Sequence, residues 1–176
     1  LHYPLRRQRQ MCIRDRAETV LTGHFFKSLW PHGRALAPAN GWFEWIPDPG
    51  DPKRKQPYYI TAANGEPLFF AALAEVHRGL EADDSDGFVV ITAAADHGLL
   101  DLHDRKPLVL APALAREWVD PATSPARVAE IVQHGCRPAA DFKWYPVSKQ
   151  VGNVRNQGEG LIHELPDPRG GLPLIS

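Results

Sequence analysis

Asn64-Gly65 constrains the fold of this chain most, because the pair stands between two apolar, strand-like runs, Tyr58 to Thr61 and Leu68 to Ala74. Glycine supplies the positive φ that a tight turn needs, so the pair marks two extended segments joined by a turn. Other short apolar runs follow the same logic. Arg34 to Trp45 reads as extended and ends in the aromatic cluster Gly41-Trp42-Phe43-Glu44-Trp45. Phe88 to Ala94 reads as a buried strand rich in β-branched residues, Leu108 to Leu110 as a short one, and Phe142 to Val147 as the last. Helical periodicity is confined to short pieces: Glu18 to Trp30 closed by Gly33, a turn at Asp96 to Leu102, Pro112 to Val119, and Pro125 to Gly135. The sum is an α+β plan of several antiparallel strands with a few short helices at the edges and no internal repeat.

Between these elements, Ile46 to Pro57 is rich in Pro, Gly, Asp and Lys and reads as an exposed, mobile loop. Glu81 to Asp86 reads as an acidic surface loop, and the tail 166–176, with its prolines and glycines, as disordered. Residues 1–14 differ from the rest: they are rich in arginine and show neither a helical nor a strand period. The run Met11-Cys12-Ile13-Arg14-Asp15-Arg16 above all reads as a cloning or assembly scar, with a basic disordered arm as the alternative. One domain is therefore expected over 15–165, and 176 residues are enough for it to bury a core.

Composition excludes some classes and leaves others open. With 43% hydrophobic and 23% charged residues the chain is ordinary for a globular protein. No apolar run approaches the roughly 20 residues that cross a bilayer, and no signal-peptide layout opens the chain, so no membrane partner is expected. The two cysteines, Cys12 and Cys136, are too few and too plainly placed for a disulfide framework or a zinc site, which fits a reduced, cytoplasmic setting. A net charge of -1 does not announce a nucleic-acid binder, so a DNA-binding face has to come from local clustering of Arg and Lys.

Three clusters put polar groups into apolar surroundings. Glu44 sits among Trp42, Phe43 and Trp45, where a carboxylate is expected to be partly desolvated and suited to proton transfer. The alternative is a strand glutamate that points to solvent while its neighbours point inward. His103, in Leu102-His103-Asp104-Arg105-Lys106-Pro107, is the natural acid or base near neutral pH, or else a structural hydrogen-bond donor. Pro146 to Gly160 is polar and punctuated by glycine, with donors suited to phosphate oxygens or simply to a surface loop. His24, His32, His77, His97 and His134 do not fall at metal-ligand spacings, and Cys136 reads as a small hydrophobe, so neither metal nor cofactor is expected.

Taken in order, these stretches resemble the SRAP family, the SOS response-associated peptidases or abasic-site processing proteins. The resemblance is carried by Arg16-Ala17-Glu18-Thr19, Pro38 to Trp45, Lys55 to Ile60, Ile91 to Ala95, Leu102 to Pro107 and Pro146 to Gly160. It implies a single domain around an antiparallel, β-barrel-like sheet with short peripheral helices and a positively charged groove for single-stranded DNA. It implies a chemistry as well. An N-terminal cysteine condenses its α-amine with the ring-opened aldehyde of an abasic site, and its thiol closes a thiazolidine ring, amine and thiol being held close within one residue. The family's glutamate maps onto Glu44, which would move protons during Schiff-base formation and reversal. Its histidine maps onto His103, which would promote opening of the sugar ring. Arg16 and Arg105 match family arginines that grip phosphates with a planar fork. Trp42 and Trp45 match in position and read as core. The family's older name implies a peptidase, autoproteolytic or acting on other proteins. A monomer working on DNA that contains abasic sites is the expected state.

Near the N-terminus the resemblance stops. The family's first third, with the reactive cysteine and part of the DNA surface, is expected to have no counterpart here, and Arg14 stands where the family has an asparagine. Cys12 lies only four residues before Arg16, with no room for the missing strands, so Cys12 is not expected to be the nucleophile. The chain as written is expected not to crosslink DNA, and a non-catalytic DNA-binding remnant is the alternative reading.

Overall fold

The structure, a computed structural model, describes residues 15–16, 29–48, 51–75, 86–95 and 105–167. In chain order the described strands are β1 (Asp15–Arg16), β2 (Arg34–Ala39), β3 (Gly41–Asp48), β4 (Asp51–Ala62), β5 (Leu68–Glu75), β6 (Gly87–Ala94), β7 (Arg105–Pro107), β8 (Val109–Leu110) and β9 (Phe142–Pro146). Two helices, α1 (Pro112–Val119) and α2 (Pro125–His134), lie between β8 and β9. The chain divides into two compact units, and the α+β plan holds.

The first unit is built on a sheet in the order β1, β6, β5, β2, with β7 on β6 and β8 on β5. Most of its pairs are antiparallel, but β1 runs parallel to β6, Asp15 opposite Ile91 and Arg16 opposite Thr92. Alternation puts Ala71 and Leu73 of β5 and Val89 and Ile91 of β6 into a core shared with Leu108, Leu110, Ala115, Trp118, Val128, Ile131 and Val132. Each of the larger aliphatic side chains contributes about 1.5–3 kcal/mol on burial. Both helices begin on proline at the first turn, where its missing N–H is no loss, and Ser124 accepts the Arg127 amide at 3.3 Å to cap α2. The buried Trp118 ring donates to the Ala35 carbonyl at 2.8 Å and meets Trp30 edge-on at 5.7 Å. Arg34 gathers the carbonyls of Trp30, Trp118 and Asp120 at 3.0, 2.7 and 2.8 Å, which satisfies acceptors left over at the end of α1.

The second unit holds an antiparallel sheet in the order β3, β4, β9. Here the structure corrects the expectation for Ile46 to Pro57. Apart from residues 49–50, which lie outside the described residues, that stretch is no loop but continues β3 and β4 as paired strands, with Trp45 opposite Pro57, Ile46 opposite Gln56 and pairing that runs past a bulge to Asp48 opposite Asp51. Its composition misled because Pro47 and Lys55 are exposed while Ile46 is buried; one apolar face is enough to hold a strand. Pro57, in the central strand, donates nothing, but its carbonyl accepts from the Val147 amide at 3.0 Å and from the Gln56 side chain at 3.0 Å. Short 3-10 turns at Ala139–Asp141, Lys149–Gly152 and Glu159–Ile162 flank β9.

Asn64-Gly65 is a turn, with Gly65 at a φ of 75°, but the strands on either side of it belong to different sheets and do not pair as a hairpin. Neither sheet closes into a barrel among the described residues. Phe88, the second residue of β6, has 59% of its surface exposed, so that strand is buried only in part, at Val89, Ile91 and Thr92. The expected helix from Glu18 to Trp30 lies outside the described residues except at Leu29 and Trp30, which stand in the turn that leads to Gly33. The helical turn at Asp96 to Leu102, the acidic loop apart from Asp86, residues 1–14 and the tail beyond Asp167 also lie outside the described residues. Among the described residues no helix is long and apolar enough to cross a membrane.

Candidate functional site

Strand alternation places Trp42, Glu44 and Ile46 on one face of β3 and Phe43 and Trp45 on the other. Register then extends each face across the sheet. Glu44 is opposite Tyr58, and Tyr58 is opposite Pro146, so these three side chains form one row. The surroundings of that row are apolar: Ile46, Ile60, Ala62 and Phe142 are all buried, and Trp42 meets Phe142 edge-on at 5.4 Å. Glu44 itself is only 8% exposed, so the solvent-pointing alternative falls. Among the described residues its carboxylate has no hydrogen-bond or ion-pair partner. Leaving such a group buried and unsatisfied costs about 1–3 kcal/mol or more, a penalty that proteins accept mainly where the group has work to do.

The opposite face has a different character. Phe43, Tyr59 and Tyr145 stand in register across the three strands, with ring centroids 5.1 Å apart for the first pair and 5.9 Å for the second. Trp45 extends the line from Phe43 at 6.4 Å and is 38% exposed, so it is not the core residue its neighbours led us to expect. Lys55 and Lys143 share the face by alternation and are both exposed. Gly41 makes room for the row: a Cβ there would stand 2.5 Å from the Tyr59 ring and collide with the Ile60 carbonyl. Burial, and then Tyr145, push the Tyr59 phenol above its ordinary value, while burial, and then Glu164, do the same to Tyr145. No sequence signal beyond alternation pointed to this row, since Tyr59, Tyr145, Lys55 and Lys143 are separated along the chain.

The two arginines expected to hold phosphates belong to the first unit. Arg105, on β7, is half-buried and donates from Nε to the Thr92 hydroxyl at 3.2 Å and from Nη2 to the Thr92 carbonyl at 2.7 Å. Arg16, on β1, is the register partner of that same Thr92, so pairing brings both arginines to one residue of β6. Glu44 stands on the sheet of the second unit, and His103 lies outside the described residues. The polar run after Pro146 is exposed from Gly152 to Gly160 and spends several of its polar groups on local turns. Ser148 accepts the Gln150 amide at 3.2 Å, Asn153 accepts the Arg155 amide at 3.1 Å, and the Asn156 amide donates to the Gln150 carbonyl at 2.9 Å. Cys136 is half-buried against the first unit's core, its thiol 3.8 Å from the Pro107 carbonyl. No group of three His, Cys, Asp or Glu residues fit to hold a metal is found among the described residues.

Comparison with known proteins points in one direction. The family model for SOS response associated peptidase (SRAP) matches residues 4–154, a span that takes in most of the arginine-rich stretch before β1. The abasic site processing protein YedK of Escherichia coli K12 is 51% identical over 155 residues, which are 87% of this chain and 67% of that protein. The abasic site processing protein YoqW of Bacillus subtilis is 30% identical over 151 residues, 85% of this chain and 66% of that protein. The chain thus spans about two thirds of the length of the curated relatives it matches. Among solved structures, a phage-related protein from Bordetella bronchiseptica superposes with a TM-score of 0.65 at 42% identity, covering 88% of this chain and 69% of that one. A protein from Bacteroides thetaiotaomicron reaches a TM-score of 0.73 at 20% identity over 94% of this chain and 71% of its own, a likeness of fold alone.

Proposed function

Since this chain belongs to the SRAP family, we propose that the protein it represents captures abasic sites in single-stranded DNA as a covalent adduct. The observation that carries this reading is Glu44, a buried carboxylate without a partner among the described residues, set in an otherwise apolar face. In the proposed reaction the α-amine of an N-terminal cysteine adds to the aldehyde carbon of the opened sugar. Glu44 in its acid form protonates the carbinol hydroxyl, which leaves as water, and the resulting carboxylate takes up the proton released by the nitrogen. The thiol then adds across the carbon–nitrogen double bond, its proton passes to nitrogen, and the thiazolidine ring is closed. His103 assists opening of the sugar ring, and Arg16 and Arg105 hold the flanking phosphates. No metal or cofactor takes part, and the protein acts as a monomer.

The test is to incubate an abasic single-stranded oligonucleotide with a protein in which Arg16 onward follows a complete N-terminal segment beginning Met-Cys. A band that survives a denaturing gel is the expected result; its absence sinks the enzymatic reading. A second reading, a DNA-binding module without covalent chemistry, is favoured by the exposed Trp45 and the half-buried Phe43 and Tyr145 with the exposed Lys55 and Lys143 on the same face, since bases stack on aromatic rings and lysines answer phosphates. That reading predicts a salt-sensitive shift in a native gel and no covalent band. The peptidase that the family name mentions finds no supporting Ser-His-Asp order and no metal motif in this sequence.

A further inference from the structure

Tyr58 is the residue that register places beside Glu44, with Pro146 completing the row. Directly opposed side chains on one face of an antiparallel pair have Cβ atoms about 4.5–5.5 Å apart, so the Tyr58 ring flanks the Glu44 carboxylate. Tyr58 is 1% exposed, and its hydroxyl donates to Asp167 Oδ1 at 3.0 Å across 109 residues of sequence. Two residues before Asp167, the Leu165 amide donates to the Pro146 carbonyl at 2.9 Å. The segment after the last 3-10 turn is therefore fastened twice to the row that carries Glu44. A phenol ring otherwise turns among staggered rotamers, and the bond at its polar end selects one of them.

We infer that Tyr58 is the positioning residue of Glu44 and that Asp167 fixes the Tyr58 ring where it shuts water away from the carboxylate. The two hydrogen bonds together set how often the row opens. The consequence for catalysis rests on reading Glu44 as the proton-transfer group. The shielding itself needs no DNA and no reaction to be measured, so a failure here and a failure of that reading come apart.

The experiment is carbodiimide-driven coupling of glycinamide to the carboxylates of the folded full chain, under single-hit conditions, with each site read by peptide mass spectrometry. Tyr58→Phe keeps the ring and loses the bond; Asp167→Ala loses the acceptor; Asp167→Asn keeps an acceptor oxygen. Relative to the exposed Glu66, labelling at Glu44 rises about tenfold in Tyr58→Phe and in Asp167→Ala, the factor that about 1.4 kcal/mol of lost hydrogen bonding gives. Asp167→Asn stays within about twofold of the parent, because the phenol still has an oxygen to donate to. Unchanged labelling at Glu44 in Asp167→Ala overturns the assignment. So does Asp167→Asn behaving like Asp167→Ala, or a rise of equal size at every carboxylate, which would make Tyr58 and Asp167 parts of the general fold and nothing more.

Discussion

The two faces of the sheet formed by β3, β4 and β9 are made from adjacent residues and hold different groups, although the centre of each, Glu44 on one and Tyr59 on the other, is buried. One face buries Ile46, Ile60, Ala62 and Phe142 and carries one strand carboxylate, Glu44, with Asp167 reaching Tyr58 beside it. The other carries Phe43, Tyr59 and Tyr145 in a row, an exposed Trp45, and two exposed lysines. Gly41-Trp42-Phe43-Glu44-Trp45 contributes to both, each residue assigned by the period of two alone. The dry face keeps water and competing donors away from the one strand carboxylate it carries. The aromatic, basic face suits contact with an extended, charged ligand whose bases stack and whose phosphates meet lysine.

The largest expected effect separates the faces by rate. In the completed protein, Glu44→Gln keeps the shape and removes the titrating group, so adduct formation at saturating DNA should slow about 10²–10⁴-fold, the usual contribution of a general acid or base. Affinity for an intact oligonucleotide should hardly move. An adduct rate that survives the substitution takes Glu44 out of the chemistry.

The converse change sharpens the same contrast. Tyr145→Ala removes one end of the aromatic row, and its affinity for single-stranded DNA, followed by fluorescence titration, should fall by about 1–3 kcal/mol, the worth of one stacked base. The adduct rate at saturating DNA should stay near that of the parent. Unaltered affinity would leave the aromatic face without a role in DNA binding.

The smallest effect is on stability at alkaline pH. Tyr59 and Tyr145 have folded-state values raised mainly by burial, so the unfolded chain ionises them first. Their contribution is fully present below the unfolded value of about 10 and is lost as pH rises through the folded values. Denaturant midpoints measured across that window should fall less steeply for Tyr145→Phe than for the parent. Identical slopes would mean that the Tyr145 phenol titrates alike in folded and unfolded chains.

Much of the fold was legible because its signals are local. Proline at the first turn and Gly135 at the end bounded α2, and proline likewise opened α1 at Pro112. Runs such as Leu68 to Ala74 and Phe142 to Val147 showed themselves as strands by apolar content. The hairpin from Ile46 to Pro57 was missed because Pro, Gly, Asp and Lys speak for a loop, while the pairing that overrules them lies between β3 and β4. At the candidate site, alternation told that Glu44 and Trp45 face opposite ways, but not which of them is buried. Expecting Trp45 in the core gave too much weight to residue type, since a large aromatic on a strand goes wherever its face goes.

What the sequence by itself determined is therefore the set of residues that share a face, together with the limits of the short helices, because backbone geometry and end chemistry act over a few residues. Tertiary structure alone decided which face closes over Glu44 and that Asn64-Gly65 links two sheets instead of one hairpin. It also decided that β1 pairs Arg16 with Thr92, the residue that Arg105 bonds, and that Tyr58 reaches Asp167. Each of these depends on partners far along the chain, and no local preference encodes a partner that only folding brings near.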